Sequence, residues 1–210
     1  MPIRLTRRRM MNLALAAAAA PAAATLPGAV WAQSTRNLEA MTVGDADAPV
    51  TLVEYAMFTC PHCKSFHENV YPRIKSEFID TGKVQLVFRE VYFNRASLWA
   101  GMIARCADPD WYFGLVDLLF EKQSEWTAGS DPQVMVDNLY GIGRQAGLTD
   151  EEMNACMSDQ DFAEALVAEY QKNAQADGVD STPTFVINGE KVSNMSYEAM
   201  AESLNAAAGG

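Results

Sequence analysis

The sequence predicts an α/β fold in which a β–α–β unit comes first, a run of helices follows, and a β-hairpin lies near the carboxyl terminus. Three observations carry this prediction. Val50–Tyr55 is β-rich and almost continuously apolar, as in a strand buried on both faces. After this strand, apolar residues recur every four positions from Phe66 to Phe78, which predicts a helix. Near the carboxyl terminus, Asn188-Gly189 separates two short β-rich runs, which predicts a hairpin.

Composition limits the class of protein. The chain has 210 residues, of which 49% are hydrophobic and 20% charged, so it has enough apolar material for a core and is not wholly disordered. Its length suggests one domain, or one domain with a large insertion. The formal net charge of −11 argues against a nucleic-acid partner, which requires a basic face.

Residues 1–32 are predicted to be a secretory signal peptide. Four arginines precede the apolar run 13–20, and Val30-Trp31-Ala32 fits a cleavage site. The run is too short and too alanine-rich for a membrane span, which leaves a retained helical arm as the alternative. Cleavage after Ala32 removes the arginines and no acids, so the net charge becomes −15. The mature chain is expected to be soluble in a compartment that permits disulfides, with Sec and twin-arginine export both open.

The β–α–β unit begins with the strand Val50–Tyr55. A helix is expected from Cys60 to about Asp80, because apolar residues recur there at fourfold spacing: Phe66, Val70, Ile74 and Phe78. Gly82 ends this helix, and Val84–Phe88 is the second strand. A crossover of this length implies that the two strands are parallel.

Helices are expected from Ala96 to about Ser158. Ser130 or Asp131, before Pro132, is predicted to cap one of them, and Thr149 with Glu152 resembles a capping box.

The carboxyl-terminal part is expected to contain another helix, Asp161–Ala176, followed by the strand Thr184–Ile187. Asn188-Gly189 is predicted to turn the chain into a return strand at Lys191. Ser196 is expected to cap a last helix that ends near Ala206.

Cys60-Pro61-His62-Cys63 follows the first strand and opens the first helix. A thiol there faces unpaired N–H groups and the positive end of the helix dipole, which favour the thiolate. We expect Cys60 to be an exposed nucleophile of lowered pKa, and Cys63 to resolve the mixed disulfide. His62 is expected to add a donor or a positive charge, which stabilises the thiolate and makes the disulfide a stronger oxidant.

Two other interpretations of the motif stay open. One is a purely structural disulfide, and the other is half of a zinc site with His67 as a ligand. A fourth ligand is lacking nearby, since His62 and His67 are the only histidines and the other cysteines are remote. We therefore expect no metal, and no cofactor besides the redox-active cysteine pair.

Thr182-Pro183 is a second signal. Proline favours extended geometry in the residue before it, and the strand Thr184–Ile187 follows at once. A cis Pro183 would hold Thr182 against the active site, whereas the other interpretation is a proline at a strand start.

Two segments resemble the DsbA family of bacterial periplasmic thiol–disulfide oxidoreductases: Val53–Cys63, VEYAMFTCPHC, and Gly178–Gly189, GVDSTPTFVING. The resemblance covers essentially the whole mature chain. It implies a thioredoxin-like fold, with a central mixed sheet flanked by helices and an inserted all-helical domain. It divides the chain into the signal peptide 1–32, the thioredoxin-like parts 33–94 and 159–210, and the insertion 95–158.

The resemblance also implies roles for two residues. The family's cis-proline maps onto Pro183, and its buried acid, six residues before the nucleophile, maps onto Glu54. Glu54 is the only charged residue in its strand, and burial disfavours a charged carboxylate, which makes Glu54 a candidate proton carrier for Cys63. The alternative is an acid at the strand's solvent end. Lys64 and His67 are expected on the helix surface.

Cys106 and Cys156 lie on predicted helices of the insertion and depart from the best-known family members. In an oxidising compartment we expect them to form a structural disulfide, with two separate buried thiols or a second redox pair as alternatives. A second cysteine pair resembles the alphaproteobacterial subset of the family.

The resemblance implies a monomeric periplasmic oxidant that introduces disulfides into reduced, unfolded exported proteins. A membrane partner of the DsbB type, linked to quinones, would reoxidise the Cys60–Cys63 pair. Thr182 would offer backbone hydrogen bonds to an extended substrate. Met57 and Phe58 are expected to add apolar peptide contacts, unless they are core residues.

Three alternative functions are a disulfide isomerase or reductase of the same fold, a peptide-binding chaperone with an idle redox site, and a glutathione-dependent transferase. Isomerases of this type resemble dimers with a separate dimerisation domain, for which residues 33–59 are too few. The transferases use a serine site and lack a secretory signal.

Overall fold

The structure is a computed structural model, and it describes residues 38–209. The predicted signal peptide, residues 1–32, lies outside the described residues. The strands are β1 (Met41–Val43), β2 (Val50–Ala56), β3 (Val84–Glu90), β4 (Thr184–Ile187) and β5 (Glu190–Ser193). The helices are α1 (Pro61–Asn69), α2 (Tyr71–Ile74), α3 (Arg95–Cys106), α4 (Tyr112–Glu121), α5 (Gln123–Trp126), α6 (Pro132–Gln145), α7 (Asp150–Met157), α8 (Gln160–Ala176) and α9 (Tyr197–Ala207). Across the described range, no helix combines the length and the apolar content needed to cross a membrane.

The strands form one mixed sheet in the order β1-β3-β2-β4-β5. β2 and β3 are parallel and are joined through α1 and α2, as the predicted crossover requires. β4 lies antiparallel to both β2 and β5. Asn188 and Gly189 have φ angles of 47° and 88°, the left-handed conformation of a two-residue hairpin turn. The β–α–β unit and the hairpin are both confirmed.

Helices cover both faces of the sheet, so β2 is buried along nearly all of its length. Leu52 packs with Phe66 of α1 and Leu204 of α9 on one face. Val53 packs with Ala174 of α8 on the other face. Both faces of β2 therefore exclude water, which is the physical reason for its nearly continuous apolar sequence. The α/β class with a helix-flanked mixed sheet is confirmed.

The single helix predicted over residues 60–80 is interrupted. α1 is followed by α2 and then by a π-helical turn, Lys75–Ile79. The break lies at Val70, whose φ is −114°, two residues before Pro72. Proline has no N–H for the carbonyl four residues earlier, and its ring crowds that turn. Apolar spacing does not register this local break.

The predicted helix caps are present. The Asp131 side chain accepts a backbone N–H from the first turn of α6, and Thr149 forms a reciprocal capping box with Glu152 in α7. Ser196 caps α9 in the same manner. These side chains satisfy N–H groups that have no partner inside a helix, which is why the sequence located these helix starts well.

Helix α3 is linked to α7 by a disulfide and to β3 by an ion pair. A disulfide joins Cys106, at its end, to Cys156 of α7, with the Cα atoms 6.0 Å apart. This lies within the roughly 7 Å that a disulfide spans, so the expected pairing is present. Next to it, Arg105 forms a buried, two-point ion pair with Glu90 of β3, and the Tyr112 hydroxyl also donates to that carboxylate. The insertion is thereby connected to the sheet.

Strand β1 was missed by sequence analysis. It has only three residues, which pair antiparallel with β3 at Phe88, Val87 and Leu86. So short a run carries no distinguishing periodicity, and its extended conformation depends on the ladder that β3 offers.

Candidate active site

Cys60 occupies the N-cap position of α1, directly after β2. Its N–H donates to the Met57 carbonyl at 2.9 Å, and Pro61 takes the first helical position, where no N–H is required. Cys60 is 6% exposed and Cys63 is fully buried. Cys63 is more buried than Cys60, as predicted. The expectation that Cys60 is exposed was wrong, because only a small part of its surface reaches solvent.

The pKa of the Cys60 thiol is lowered to about 5, from 9.0 for an ordinary thiol. The largest cause is a hydrogen bond from the Cys63 side chain. Burial opposes it, and a side-chain hydrogen bond from Thr182 and the backbone N–H groups of Cys63 and His62 add to it. Those N–H groups belong to the first turn of α1, where they have no helical partner. Cys60 is therefore mostly thiolate at neutral pH.

The pKa of the Cys63 thiol is shifted in the opposite direction, upward. Burial raises the pKa of the Cys63 thiol, and its hydrogen bond to Cys60 and the negative charge of Glu54 act in the same direction. A backbone hydrogen bond from Met57 opposes them. The pair therefore holds one reactive thiolate and one protonated thiol, which is the asymmetry that thiol–disulfide exchange uses.

The loop before β4 faces the Cys60 sulfur. The Thr182–Pro183 peptide bond is cis, and the Cys60 thiol donates to the Thr182 carbonyl oxygen across 3.3 Å. β4 pairs with β2, so the sheet itself brings this loop beside the start of α1. Only a protonated sulfur can make the contact with the carbonyl, which leaves this acceptor free when Cys60 is a thiolate.

Glu54 and His67 form a buried pair. The Glu54 Oε1 lies 3.0 Å from Nε2 of His67, and their side chains are 0% and 4% exposed. The His67 ring stacks on Phe120 of α4, with centroids 4.2 Å apart. Glu54 Oε2 and His67 Nδ1 have no hydrogen-bond partner among residues 38–209.

This pair corrects one expectation and decides between two others. His67 is not on the helix surface. Glu54 is fully buried, as expected, which excludes the alternative of an acid at the solvent end of the strand. The surface prediction for His67 was wrong because α1 is covered by the insertion as well as by the sheet. Lys64 is also partly covered on that side, and its Nζ donates to the Glu121 carbonyl at 2.9 Å.

A family profile described as Thioredoxin matches residues 36–206. The chain belongs to the thioredoxin family. Among solved structures, alpha-DsbA1 of Wolbachia pipientis has a TM-score of 0.75 at 26% identity, covering 82% of this chain and 92% of its own. Oxidised BdbD of Bacillus subtilis has a TM-score of 0.72 at 27% identity, covering 81% and 94%. These neighbours confirm the resemblance to DsbA proteins and the thioredoxin-like fold with a helical insertion.

Curated relatives agree with this placement. A Rickettsia bellii protein, provisionally named a protein-disulfide oxidoreductase, is 31% identical over 168 residues, which is 80% of this chain and 64% of the relative. The chain spans 59–64% of the length of the Rickettsia relatives that it matches.

In this thioredoxin-family chain, Phe58 does not form a peptide-contacting surface. It is fully buried, with its ring centroid 5.4 Å from that of Phe120, so its predicted role in apolar substrate contact was wrong and the core interpretation is correct. Met57 is half-buried, and its sulfur lies 3.6 Å from Nδ2 of Asn94. The neighbouring Phe93 is 48% exposed and provides apolar surface that sequence analysis did not identify.

Two polar residues of the insertion hold the segment that leads into the motif. Gln123 donates from Nε2 to the carbonyls of Phe58 and Cys60, at 2.7 and 2.9 Å. Ser97 accepts the Phe58 N–H at 3.2 Å and donates to the Val91 carbonyl at 2.9 Å. Both residues are far from the motif in sequence, so no local pattern pointed to them.

His62 is exposed, and it is the backbone N–H of His62 that lowers the pKa of Cys60. The zinc interpretation required His67 as a ligand, but its Nε2 faces Glu54. Over residues 38–209, no group of three or more His, Cys, Asp or Glu side chains is arranged to hold a metal ion.

Proposed function

We propose that this chain is an exported thiol:disulfide oxidoreductase that introduces disulfides into other proteins through its Cys60–Cys63 pair. The observation that supports this most directly is the asymmetry of the two thiols, since the pKa of Cys60 is lowered and that of Cys63 is raised. A stabilised Cys60 thiolate favours the reduced pair, so the disulfide becomes a strong oxidant. The names of a Bacillus subtilis relative of this chain, disulfide bond formation protein D, and of the structural neighbour alpha-DsbA1 point to the same reaction class.

The reaction has two exchange steps. A substrate thiolate attacks the Cys60 sulfur of the oxidised pair, which forms the mixed disulfide and breaks the Cys60–Cys63 bond. Cys63 leaves as a thiolate and takes up one proton. A second substrate thiolate then attacks the substrate sulfur of the mixed disulfide, which forms the substrate disulfide and releases Cys60 as a stable thiolate.

Glu54 is the proposed proton carrier for Cys63. The departing Cys63 thiolate is fully buried, so its proton must come through the protein. The charge of Glu54 acts on the Cys63 thiol, and its carboxylate shares a hydrogen bond with His67. In this role the neutral Glu54 carboxyl group gives its proton to the Cys63 thiolate and is left as a carboxylate paired with the His67 imidazole.

Substrates are proposed to be reduced, unfolded exported proteins. An extended peptide would donate an N–H to the Thr182 carbonyl next to Pro183, while Met57 and Phe93 would contact its apolar side chains. The signal-peptide pattern supports a periplasmic location. In that location we propose a monomer that is reoxidised by a DsbB-type, quinone-linked membrane protein.

The decisive experiment is the equilibrium of the Cys60–Cys63 pair with glutathione. We expect the pair to be more oxidising than glutathione, and the protein to oxidise a dithiol peptide stoichiometrically. A Cys60→Ser variant should lose this oxidation, and a Cys63→Ala variant should accumulate mixed disulfides through Cys60. A pair more reducing than glutathione would favour the isomerase or reductase alternative and contradict the oxidant assignment.

A further inference from the structure

The junction between α4 and α5, residues Phe120–Gln123, contacts the active-site segment at several points. The Phe120 ring stacks on His67, and the Glu121 carbonyl accepts from Lys64. Gln123 reaches the motif itself, because its amide donates to the carbonyl of Cys60 as well as to that of Phe58. The insertion therefore forms part of the wall behind the nucleophile.

The position of Gln123 is fixed by its burial, its hydrogen bonds and the local backbone conformation. The helix is interrupted at Lys122, whose φ and ψ are −93° and 14°, so Gln123 begins a new helix. It is 5% exposed. A primary amide has two N–H bonds, and the two carbonyls use both. The Gln123 carbonyl in turn accepts from the Thr127 hydroxyl at 2.6 Å, which fixes the backbone end of the residue.

These two bonds hold the turn that carries the Cys60 sulfur. The Cys60 carbonyl also accepts the Lys64 N–H at 3.1 Å, and the Cys60 N–H donates to Met57, so the turn is hydrogen-bonded on both sides. A free carbonyl oxygen carries partial negative charge, which disfavours a thiolate on the same residue. Gln123 places N–H groups on that oxygen and on the Phe58 oxygen.

We propose that Gln123 is a positioning residue through which the helical insertion sets the redox equilibrium of the Cys60–Cys63 pair. This inference rests on the proposed function. It adds that the insertion changes the acidity of Cys60 and the redox equilibrium of the pair. Gln123 contacts the backbone of the turn and acts through Cys60.

The test measures the pH midpoint of Cys60 alkylation, together with the glutathione equilibrium, in Gln123→Met and Gln123→Ala. Both substitutions remove the two donors. Met keeps the length of the side chain, and Ala avoids any overpacking if the Met variant does not fold. Loss of hydrogen bonds of ordinary strength should raise the midpoint by about one pH unit and make the pair about tenfold less oxidising.

Trp126→Phe is the matched control. Trp126 is a buried residue of the same helix, and its Nε1 donates to the Leu119 carbonyl at 2.8 Å. This variant loses one buried hydrogen bond of the insertion and keeps both hydrogen bonds from Gln123 to the turn. It should therefore unfold more easily, while its alkylation midpoint and redox equilibrium stay at the wild-type values.

The inference is overturned if folded Gln123→Met or Gln123→Ala keeps the wild-type midpoint, or if Trp126→Phe moves it equally, because the effect would then be general destabilisation. Failure of the proposed function gives a different result, namely a wild-type Cys60–Cys63 pair that is more reducing than glutathione.

Discussion

Replacing Cys63 by alanine removes the side chain that contributes most to lowering the pKa of Cys60. A hydrogen bond to a charged group contributes about 1.5–3 kcal/mol, and about 1.4 kcal/mol corresponds to one pKa unit. We therefore expect the pKa of Cys60 to rise from about 5 to between about 6 and about 7. It should stay below the ordinary value, because the donors from Thr182, His62 and the backbone of residue 63 remain.

Cys63→Ser is the matched control, because a serine hydroxyl keeps a donor at the same place. Neither variant can form the active-site disulfide, so Cys60 is observed as a free thiol in both. The midpoint is read from the ultraviolet absorbance of the thiolate and from the rate of alkylation by a neutral reagent, each followed from acidic to mildly alkaline pH. The serine variant should titrate close to the wild-type midpoint.

An alanine variant whose Cys60 titrates at the wild-type midpoint, as the serine variant is expected to do, would refute this reasoning. Such a result would mean that the N–H groups at the start of α1 account for the acidity of Cys60 and that the Cys63 side chain contributes little. The asymmetry of the pair would then come from the helix terminus and from burial.

Three further predictions concern stability and rate. Compared with Cys60→Ser, the reduced protein should gain stability with rising pH. The gain in unfolding free energy is lost as the pH falls through about 5, amounts to about 3 kcal/mol at pH 7, and is complete only above the ordinary thiol pKa of 9.0. A difference in denaturant unfolding that does not change with pH would contradict this. Replacing Cys106 and Cys156 together by alanine should lower the unfolding free energy by up to about 4 kcal/mol, the chain-entropy value for the 50-residue separation, and leave the Cys60 alkylation midpoint unchanged. Glu54→Gln should slow substrate oxidation at neutral pH about 100-fold in rapid-mixing measurements, because Cys63 loses its proposed proton carrier, and a wild-type rate would exclude that role.

Much of the fold was predictable because its signals are local. The apolar run of β2, the Asn188-Gly189 turn and the caps at Asp131 and Thr149 each depend on residues within a few positions of one another. The break at Val70 is also local, but apolar spacing alone does not detect it, and the proline two residues later was the available signal.

The environment of the site was less predictable, because it depends on the insertion. Phe58 and His67 are both buried against Phe120, more than fifty residues further along the chain. Gln123 is one polar residue among many in the sequence, and only the packing of α4 and α5 brings its amide to the Cys60 carbonyl.

By itself, the sequence determined the strand-to-helix position of the two cysteines, and with it which thiol has the lowered pKa. The reason is that a helix start exposes its own N–H groups to whichever residue caps it. Only the tertiary structure decided how far burial opposes that preference and how Thr182 adds to it, because the segments that cover Cys60 meet it only in the folded chain. The same holds for the Gln123 amide, which reaches the Cys60 carbonyl from the insertion.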